Sequence, residues 1–134
     1  MTFCPCGSSI LYQQCCEKFI TGEALPPTPE ALMRSRYTAF TLHHLDYIQA
    51  TMKGKALKRF NVEQAEARGN AVQWEGLCVI RQKMTSAFHG YVTFEARYIQ
   101  EGAAKSHYEK SEFKKINNKW YYINGVFLKP QLEK

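Results

Sequence analysis

The chain has 134 residues, a length that fits one ordinary domain with its own hydrophobic core. Its formal net charge of +6 makes a nucleic-acid interaction a candidate, but the basic residues are spread along the whole sequence. No apolar run approaches the length of a membrane span, and the first residues, MTFC, lack the basic and apolar regions of a signal peptide. We therefore expect a cytoplasmic protein with reduced thiols and no membrane segment.

Four of the five cysteines lie within the first sixteen residues, in the string CPCGSSILYQQCC. Cys4 and Cys6 can point the same way from an extended turn, and Cys15 with Cys16 can complete a tetrahedron. Four thiolates fill the coordination of zinc and leave no position for water, which is typical of a structural site. Disulfides and chance clustering are the alternatives, and four thiolates also suit iron. The spacing predicts a structural zinc knuckle over residues 1–20.

A proline-rich segment, TGEALPPTP at 21–29, predicts a linker that leads away from the knuckle. A helix is expected directly after it, with Thr28 as its N-cap and Pro29 at its first position. Two further helical stretches are predicted, HHLDYIQATM at 43–52 and a segment from about Asn61 to Arg68. Because the linker separates the knuckle from these helices, we expect metal removal to unfold only the knuckle.

From Ala71 onward the sequence is rich in aromatic and β-branched residues, which is typical of strands. Four strands are predicted, AVQWEGLCVIRQKM (71–84), HGYVTFEARYIQ (89–100), AKSHYEKSEFKKI (104–116) and KWYYINGVF (119–127). Asn117 and Asn118 favour a two-residue hairpin turn, and Cys78 within the first strand is expected to be buried. Helices followed by an antiparallel meander predict an α+β domain over residues 30–134, in which the helices close a curved four-stranded sheet into a cone.

The third predicted strand places His107, Glu109 and Ser111 on the face that we expect to point into the cone. A buried carboxylate needs a partner, so Arg34 or Arg36 is predicted to contact Glu109. The residues predicted to line the pocket besides His107 and Glu109 are Arg34, Arg36, Tyr37, Tyr98, Ser111, Phe113, Trp120 and Tyr122. We expect a small or partly filled pocket, with both ring nitrogens of His107 bonded to protein groups.

The cysteine string resembles the SEC-C motif, in which two cysteines two apart are followed by a serine and then by Cys-Cys or Cys-His. Cys4, Cys6, Ser8, Cys15 and Cys16 match this pattern, and Ser8 is expected to support a thiolate by a hydrogen bond. The usual glycine and lysine stretch after the serine is replaced here by Ser-Ile-Leu. This departure weakens the inference of a basic ligand surface on the knuckle and leaves the metal ligands in place.

The resemblance extends along the chain through ALMRSRYTAF at 31–40, VTFEARY at 92–98, HYEKSEF at 107–113 and KWYYINGV at 119–126. In this order the blocks resemble the bacterial YchJ-like family. The resemblance implies an N-terminal SEC-C knuckle joined to a domain of the nuclear-transport-factor-two-like (NTF2-like, cystatin-like) fold. Many members add a second knuckle at the C-terminal end. This sequence ends at KPQLEK without one, so we expect no function that needs two knuckles.

Three classes of function are compatible with these residues. We predict a non-catalytic binding or adaptor protein, in which the zinc knuckle contacts a protein or RNA partner and the cone holds a small ligand or a partner segment. The second class is a small-molecule isomerase, dehydratase or hydrolase with His107 and Glu109 as its acid–base pair. The third is a ribosome or nucleic-acid accessory factor, whose basic residues would be Lys53, Lys55, Lys58 and Arg59.

Overall fold

The structure is a computed structural model and describes residues 2–128. The C-terminal stretch 129–134, where the sequence shows no second knuckle, lies outside the described residues. The elements in chain order are a 3₁₀ turn (Tyr12–Gln14), helices α1 (Glu17–Ile20), α2 (Pro29–Thr41), α3 (Leu45–Ala50), α4 (Gly54–Arg59) and α5 (Val62–Ala71), and strands β1 (Val72–Ser86), β2 (His89–Gln100), β3 (Ala103–Ile116) and β4 (Lys119–Leu128). Among the described residues, no helix is long and apolar enough to cross a membrane.

Helix α2 begins as its sequence predicts. Thr28 is the N-cap, its Oγ1 accepts a hydrogen bond of 3.0 Å from the backbone N–H of Ala31, and Pro29 occupies the first turn. The helix buries Leu32 and Tyr37 against the sheet. It is the element that connects the N-terminal segment to the cone.

The strands form one antiparallel sheet in the order β1-β2-β3-β4. Asn117 and Asn118 connect β3 to β4 with φ values of 50° and 67°, and Glu101 and Gly102 connect β2 to β3 with 53° and 77°. Positive φ at both positions is the type I′ geometry that matches strand twist, so the predicted asparagine hairpin is confirmed. Register shifts interrupt the β1–β2 pairing at three points. Such bulges bend a strand and curl the sheet.

The core lies between α2 and the concave face of the sheet, where Leu32 packs with Val92, Phe94 and Phe113. On β1 the residues packed against this core are Leu77 and Val79, which leaves the intervening Cys78 on the outer face. The prediction that Cys78 is buried is therefore wrong, because the alternation of β1 places it among exposed residues.

The segment between α3 and α4 lies along the edge strand β4. The backbone N–H of Tyr122 donates to the carbonyl of Thr51 over 2.9 Å, and the N–H of Lys53 donates to the carbonyl of Tyr122 over 3.0 Å. These bonds cover part of an open sheet edge. Helix α4 was not expected from the sequence, and its one buried side chain is Ala56. α4 thus packs beside β4, and α5 packs beside β1.

Candidate functional site

The four N-terminal cysteines converge in space. Their Sγ atoms all lie within 4.8 Å of one another, with separations of 3.7 Å for Cys6–Cys15 and 3.9 Å for Cys15–Cys16. A tetrahedral site with zinc–sulfur bonds of about 2.3 Å has sulfur–sulfur edges of about 3.8 Å. The four cysteines are therefore positioned to hold one metal ion.

Hydroxyl groups support the cluster from two sides. Oγ of Ser8 lies 3.1 Å from Sγ of Cys15, and Oγ1 of Thr38 on α2 donates to Sγ of Cys16 over 3.4 Å. Hydrogen bonds from Cys16 and Cys6 lower the pKa of the Cys4 thiol, whereas the pKa of Cys16 is raised by its hydrogen bond to Cys4. Sharing a proton in this way keeps neighbouring thiolates from being charged together, and a bound cation would remove that constraint.

The cysteine cluster is docked on the cone. Cys4, Cys6 and Cys16 are buried in the same core as Leu32 and Met33 of α2. The linker therefore turns back and places α2 on the knuckle, in contrast to the expectation that it leads away. This docking makes the metal site part of the packing that holds α2.

A cavity of about 500 Å³ lies between the helices and the concave face of the sheet. Its apolar walls include Met33, Phe40, Ile48, Trp74, Phe94 and Phe127, and its polar lining includes Arg36, Arg59, Arg68, His107, Glu109, Ser111, Tyr122 and Asn124. This volume and mixture fall in the usual range of small-molecule sites. The expectation of a small or partly filled pocket is wrong, because the side chains of α4 and α5 line this space without filling it.

Glu109 is the centre of a hydrogen-bonded group on the cavity floor. Its carboxylate accepts hydrogen bonds from Ser111 Oγ at 2.7 Å and Tyr122 Oη at 2.6 Å, and it lies 2.9 Å from Nε2 of His107. Burial raises the pKa of Glu109, but the bonds from His107, Tyr122 and Ser111 outweigh it, so the pKa is lowered overall. Glu109 is thus ionised at neutral pH although it is buried.

The predicted ion pair between Glu109 and Arg34 or Arg36 is wrong. Arg36 donates instead to the Ile48 carbonyl at 2.8 Å and to Thr51 Oγ1 at 2.7 Å, and its guanidinium lies 4.6 Å from the Tyr122 ring centroid. Tyr122 therefore stands between the two charges. Burial lowers the pKa of Arg36 to about 10, so the guanidinium remains protonated at neutral pH.

Arg34 lies outside the cavity, on the knuckle side of α2. Its Nη1 donates to the carbonyl of Cys6 over 2.6 Å, and its Nε pairs with Glu30 over 3.0 Å. Residues two apart on a helix point in nearly opposite directions, so Arg34 and Arg36 cannot share one pocket. Arg34 is a link between the knuckle and the cone.

His107 has one ring nitrogen without a partner in the described part of the chain. Nε2 faces Glu109, while Nδ1 makes no hydrogen bond within residues 2–128. The expectation that both nitrogens are bonded is therefore wrong. Because an ionised Glu109 can only accept, Nε2 donates to it, and Nδ1 is the ring nitrogen that takes no part in this bond.

Three other predicted pocket residues do not line the cavity. Phe113 and Trp120 point inward but are buried in the core, where the Trp120 indole N–H donates to the Pro27 carbonyl over 3.2 Å. The linker and the start of α2 close that end of the sheet. Tyr98 packs behind Trp74 with ring centroids 5.5 Å apart. Tyr37, Ser111 and Tyr122 do reach the cavity.

The sequence reasoning missed several cavity residues. The sequence predicts Trp74 only as a strand residue and Arg59 only as part of a basic cluster that could bind nucleic acid. In the structure both residues line the cavity. The sequence predicts Gly125 only as a strand residue, yet a side chain there would collide with the Glu109 carboxylate and the Tyr122 hydroxyl. A glycine inside a strand is a recognised sign of such close approach, and this signal was available.

Four cysteines positioned to hold a metal ion are docked on a helix-and-sheet cone that contains a cavity. These features define the class of this protein, a cysteine knuckle joined to a domain with a cavity. Residues 28–125 match the family model described as YchJ, middle NTF2-like domain. The chain belongs to the YchJ family. The resemblance found in its sequence blocks is thereby confirmed.

Individual relatives agree with this assignment. UPF0225 protein SG1365 of Sodalis glossinidius is 38% identical over 133 residues, which cover 95% of this chain and 84% of that protein. UPF0225 protein YchJ of Shigella dysenteriae is 39% identical over 127 residues, covering 92% and 82%. The solution structure of RPA3114, a SEC-C motif containing protein from Rhodopseudomonas palustris, has a TM-score of 0.86 and 32% identity, covering 94% of this chain and 98% of that one. The predicted α+β cone fold is confirmed.

Proposed function

We propose that this protein binds a small, largely apolar ligand in the cone cavity without transforming it. The observation that carries the proposal is the cavity of about 500 Å³ with mostly apolar walls. The carboxylate of Glu109 on its floor is already bonded to three side chains of the protein, so apolar groups form most of the surface left for a ligand.

We propose zinc as the metal of the cysteine cluster, in a structural role. Four thiolates around one ion leave no open position for water, and the hydroxyls of Ser8 and Thr38 lie within reach of the sulfurs. Thiolates that bind a metal must stay reduced, which suits the reducing cytoplasm. We therefore propose a cytoplasmic location.

The knuckle would also present a contact surface for a partner protein. Phe3 and Ile10 are exposed apolar side chains on it, with Phe3 67% accessible. Lys18 is the one basic residue between positions 2 and 20, which favours a protein over RNA as the partner.

Binding of N-phenyl-1-naphthylamine, a neutral aromatic probe that fluoresces in apolar surroundings, tests the cavity. We expect saturable binding to the wild-type chain in the low micromolar range. Ala65 on α5 lines the cavity, so an Ala65→Trp variant fills its mouth and should weaken binding about tenfold or more.

Ala67→Trp is the matched control, since Ala67 lies on the same helix, is exposed and does not line the cavity. It should bind the probe as the wild type does. Absence of saturable binding to the wild type, or equal binding by both tryptophan variants, would contradict the proposal.

A second candidate function is acid–base catalysis, favoured by the Nδ1 of His107, which is unbonded within residues 2–128 and belongs to a ring next to the ionised Glu109. A histidine oriented by a carboxylate in a cavity has the components of a general base. The fully bonded state of Glu109 also fits a purely structural pair, and we therefore place binding first.

His107→Gln separates the two functions, because glutamine keeps hydrogen bonding but cannot shuttle a proton near neutral pH. We expect unchanged binding of the naphthylamine probe, and hydrolysis of 4-nitrophenyl acetate no slower than in the matched variant His44→Gln, whose histidine is exposed and away from the cavity. A hydrolysis rate that falls in His107→Gln and not in His44→Gln would favour the enzyme.

A further inference from the structure

The cavity lining contains more positively charged than negatively charged side chains. Within residues 2–128 its lining contains three arginines, Arg36, Arg59 and Arg68, but one carboxylate, that of Glu109. Arg36 and Glu109 offset each other across the ring of Tyr122. Two guanidinium groups remain without a counter-charge in the lining.

Arg59 and Arg68 are also free of acidic partners elsewhere in the described part of the chain. The ion pairs that arginines form there are Arg34 with Glu30 and Arg97 with Glu95. Arg68 lies over aromatic rings, with its guanidinium carbon 5.2 Å from the centroid of Tyr98. Its charge is thus held beside the cavity by a stacking contact that leaves its N–H donors available.

The cavity lining also contains an unpaired hydrogen-bond donor. Guanidinium groups donate and do not accept, and the buried Nε1–H of Trp74 has no acceptor within residues 2–128. An unpaired buried donor is unfavourable, and this N–H together with the two guanidinium groups is complementary to a ligand that carries acceptors. Negative charge on such a ligand would satisfy the arginines as well.

We propose that the cavity binds an apolar organic acid, with its rings or chain against Trp74 and Phe94 and its anionic group between Arg59 and Arg68. This inference rests on the proposed binding function and adds the chemical class of the ligand. Guanidinium groups bind oxyanions through paired, charge-assisted hydrogen bonds, which makes two arginines in the lining of one cavity a suitable anchor.

Two probes with one aromatic skeleton test the charge preference. 8-Anilinonaphthalene-1-sulfonate carries a sulfonate that N-phenyl-1-naphthylamine lacks. We expect the wild-type chain to bind the sulfonate about tenfold more tightly, and this advantage should shrink when NaCl is raised from about 0.05 to about 0.5 M.

The double variant Arg59→Gln/Arg68→Gln should lose that advantage and bind the neutral probe as the wild type does. Arg81→Gln is the control, because Arg81 is exposed on β1 and outside the cavity. If the double variant fails to fold, the affinities of the two probes for the wild type and their dependence on salt still test whether the cavity prefers an anionic ligand.

Equal affinity for both probes, or a preference for the sulfonate that persists in the double variant, would overturn the assignment of an acid while leaving the proposed cavity function intact. If Ala65→Trp weakens the binding of neither probe, both the proposed cavity function and the proposed acid ligand would be overturned.

Discussion

Replacing Cys16 by serine should strongly weaken metal binding and lower the melting temperature of the whole chain by about 10 °C. Cys16 is 1% exposed and shares a core with Leu32 and Met33, so loss of the knuckle uncovers these side chains of α2. Exposing two such side chains costs about 3 kcal/mol or more. The structure therefore leads us to expect an effect beyond residues 1–20, where the sequence predicted local unfolding only.

Circular dichroism of the sheet during heating, together with metal analysis, measures this effect. Cys78→Ser is the matched control, since Cys78 is exposed on β1 and outside the cluster. It should keep its metal and its melting temperature. A Cys16→Ser variant that melts at the wild-type temperature would show that the cone does not depend on the knuckle.

Replacing Glu109 by glutamine should lower the free energy of unfolding at pH 7 by about 3 kcal/mol. The carboxylate accepts from three side chains and offsets the buried charge of Arg36, and an amide cannot replace the charge. Glu112→Gln on the same strand is the control, because Glu112 is partly exposed and its pairing with His89 should contribute less than about 1 kcal/mol.

The effect of Glu109→Gln should depend on pH with a defined sign. The folded-state pKa of Glu109 lies below its ordinary value of 4.5, so its stabilising contribution is complete above that pH and is lost as the pH falls through the folded-state value. Denaturant unfolding at pH 7 and pH 3 should show a smaller difference between wild type and variant at the lower pH. An equal or larger difference at pH 3 would mean that the ionised form is not the stabilising one.

Much of the fold could be predicted because local patterns and tertiary packing agree. Alternation along β3 placed His107, Glu109 and Ser111 on the inner face, and Glu109 and Ser111 are buried there. Turn chemistry at Asn117 and Asn118 and the cap at Thr28 are determined by the residues themselves.

Helix α4 could not be predicted in this way. Its sequence GKALKR has a glycine at the first position and no apolar periodicity, and the helix is held by packing of Ala56 and by its neighbour β4. Arg59 lies at the end of α4, so its position in the cavity lining could not be predicted from sequence patterns either.

The sequence also could not predict how deeply each inward-pointing side chain is buried. Strand alternation assigns Phe113 and Trp120 to the inner face but does not say that the linker covers their end of the sheet. The same holds for Arg36, whose buried partners Ile48 and Thr51 come from a helix whose position depends on tertiary packing. The volume of the cavity depends on how all of these elements pack together, so no local sequence pattern predicts it.

The two tryptophans of the chain provide the most direct test of the cavity as a binding site. Trp74 lines the cavity, whereas Trp120 is 3% exposed in the core and bonded to Pro27. In a nuclear magnetic resonance titration with N-phenyl-1-naphthylamine, the indole N–H signal of Trp74 should shift progressively while that of Trp120 stays in place. Saturation of the probe with no shift of the Trp74 signal, or with equal shifts of both, would contradict a ligand site inside the cone.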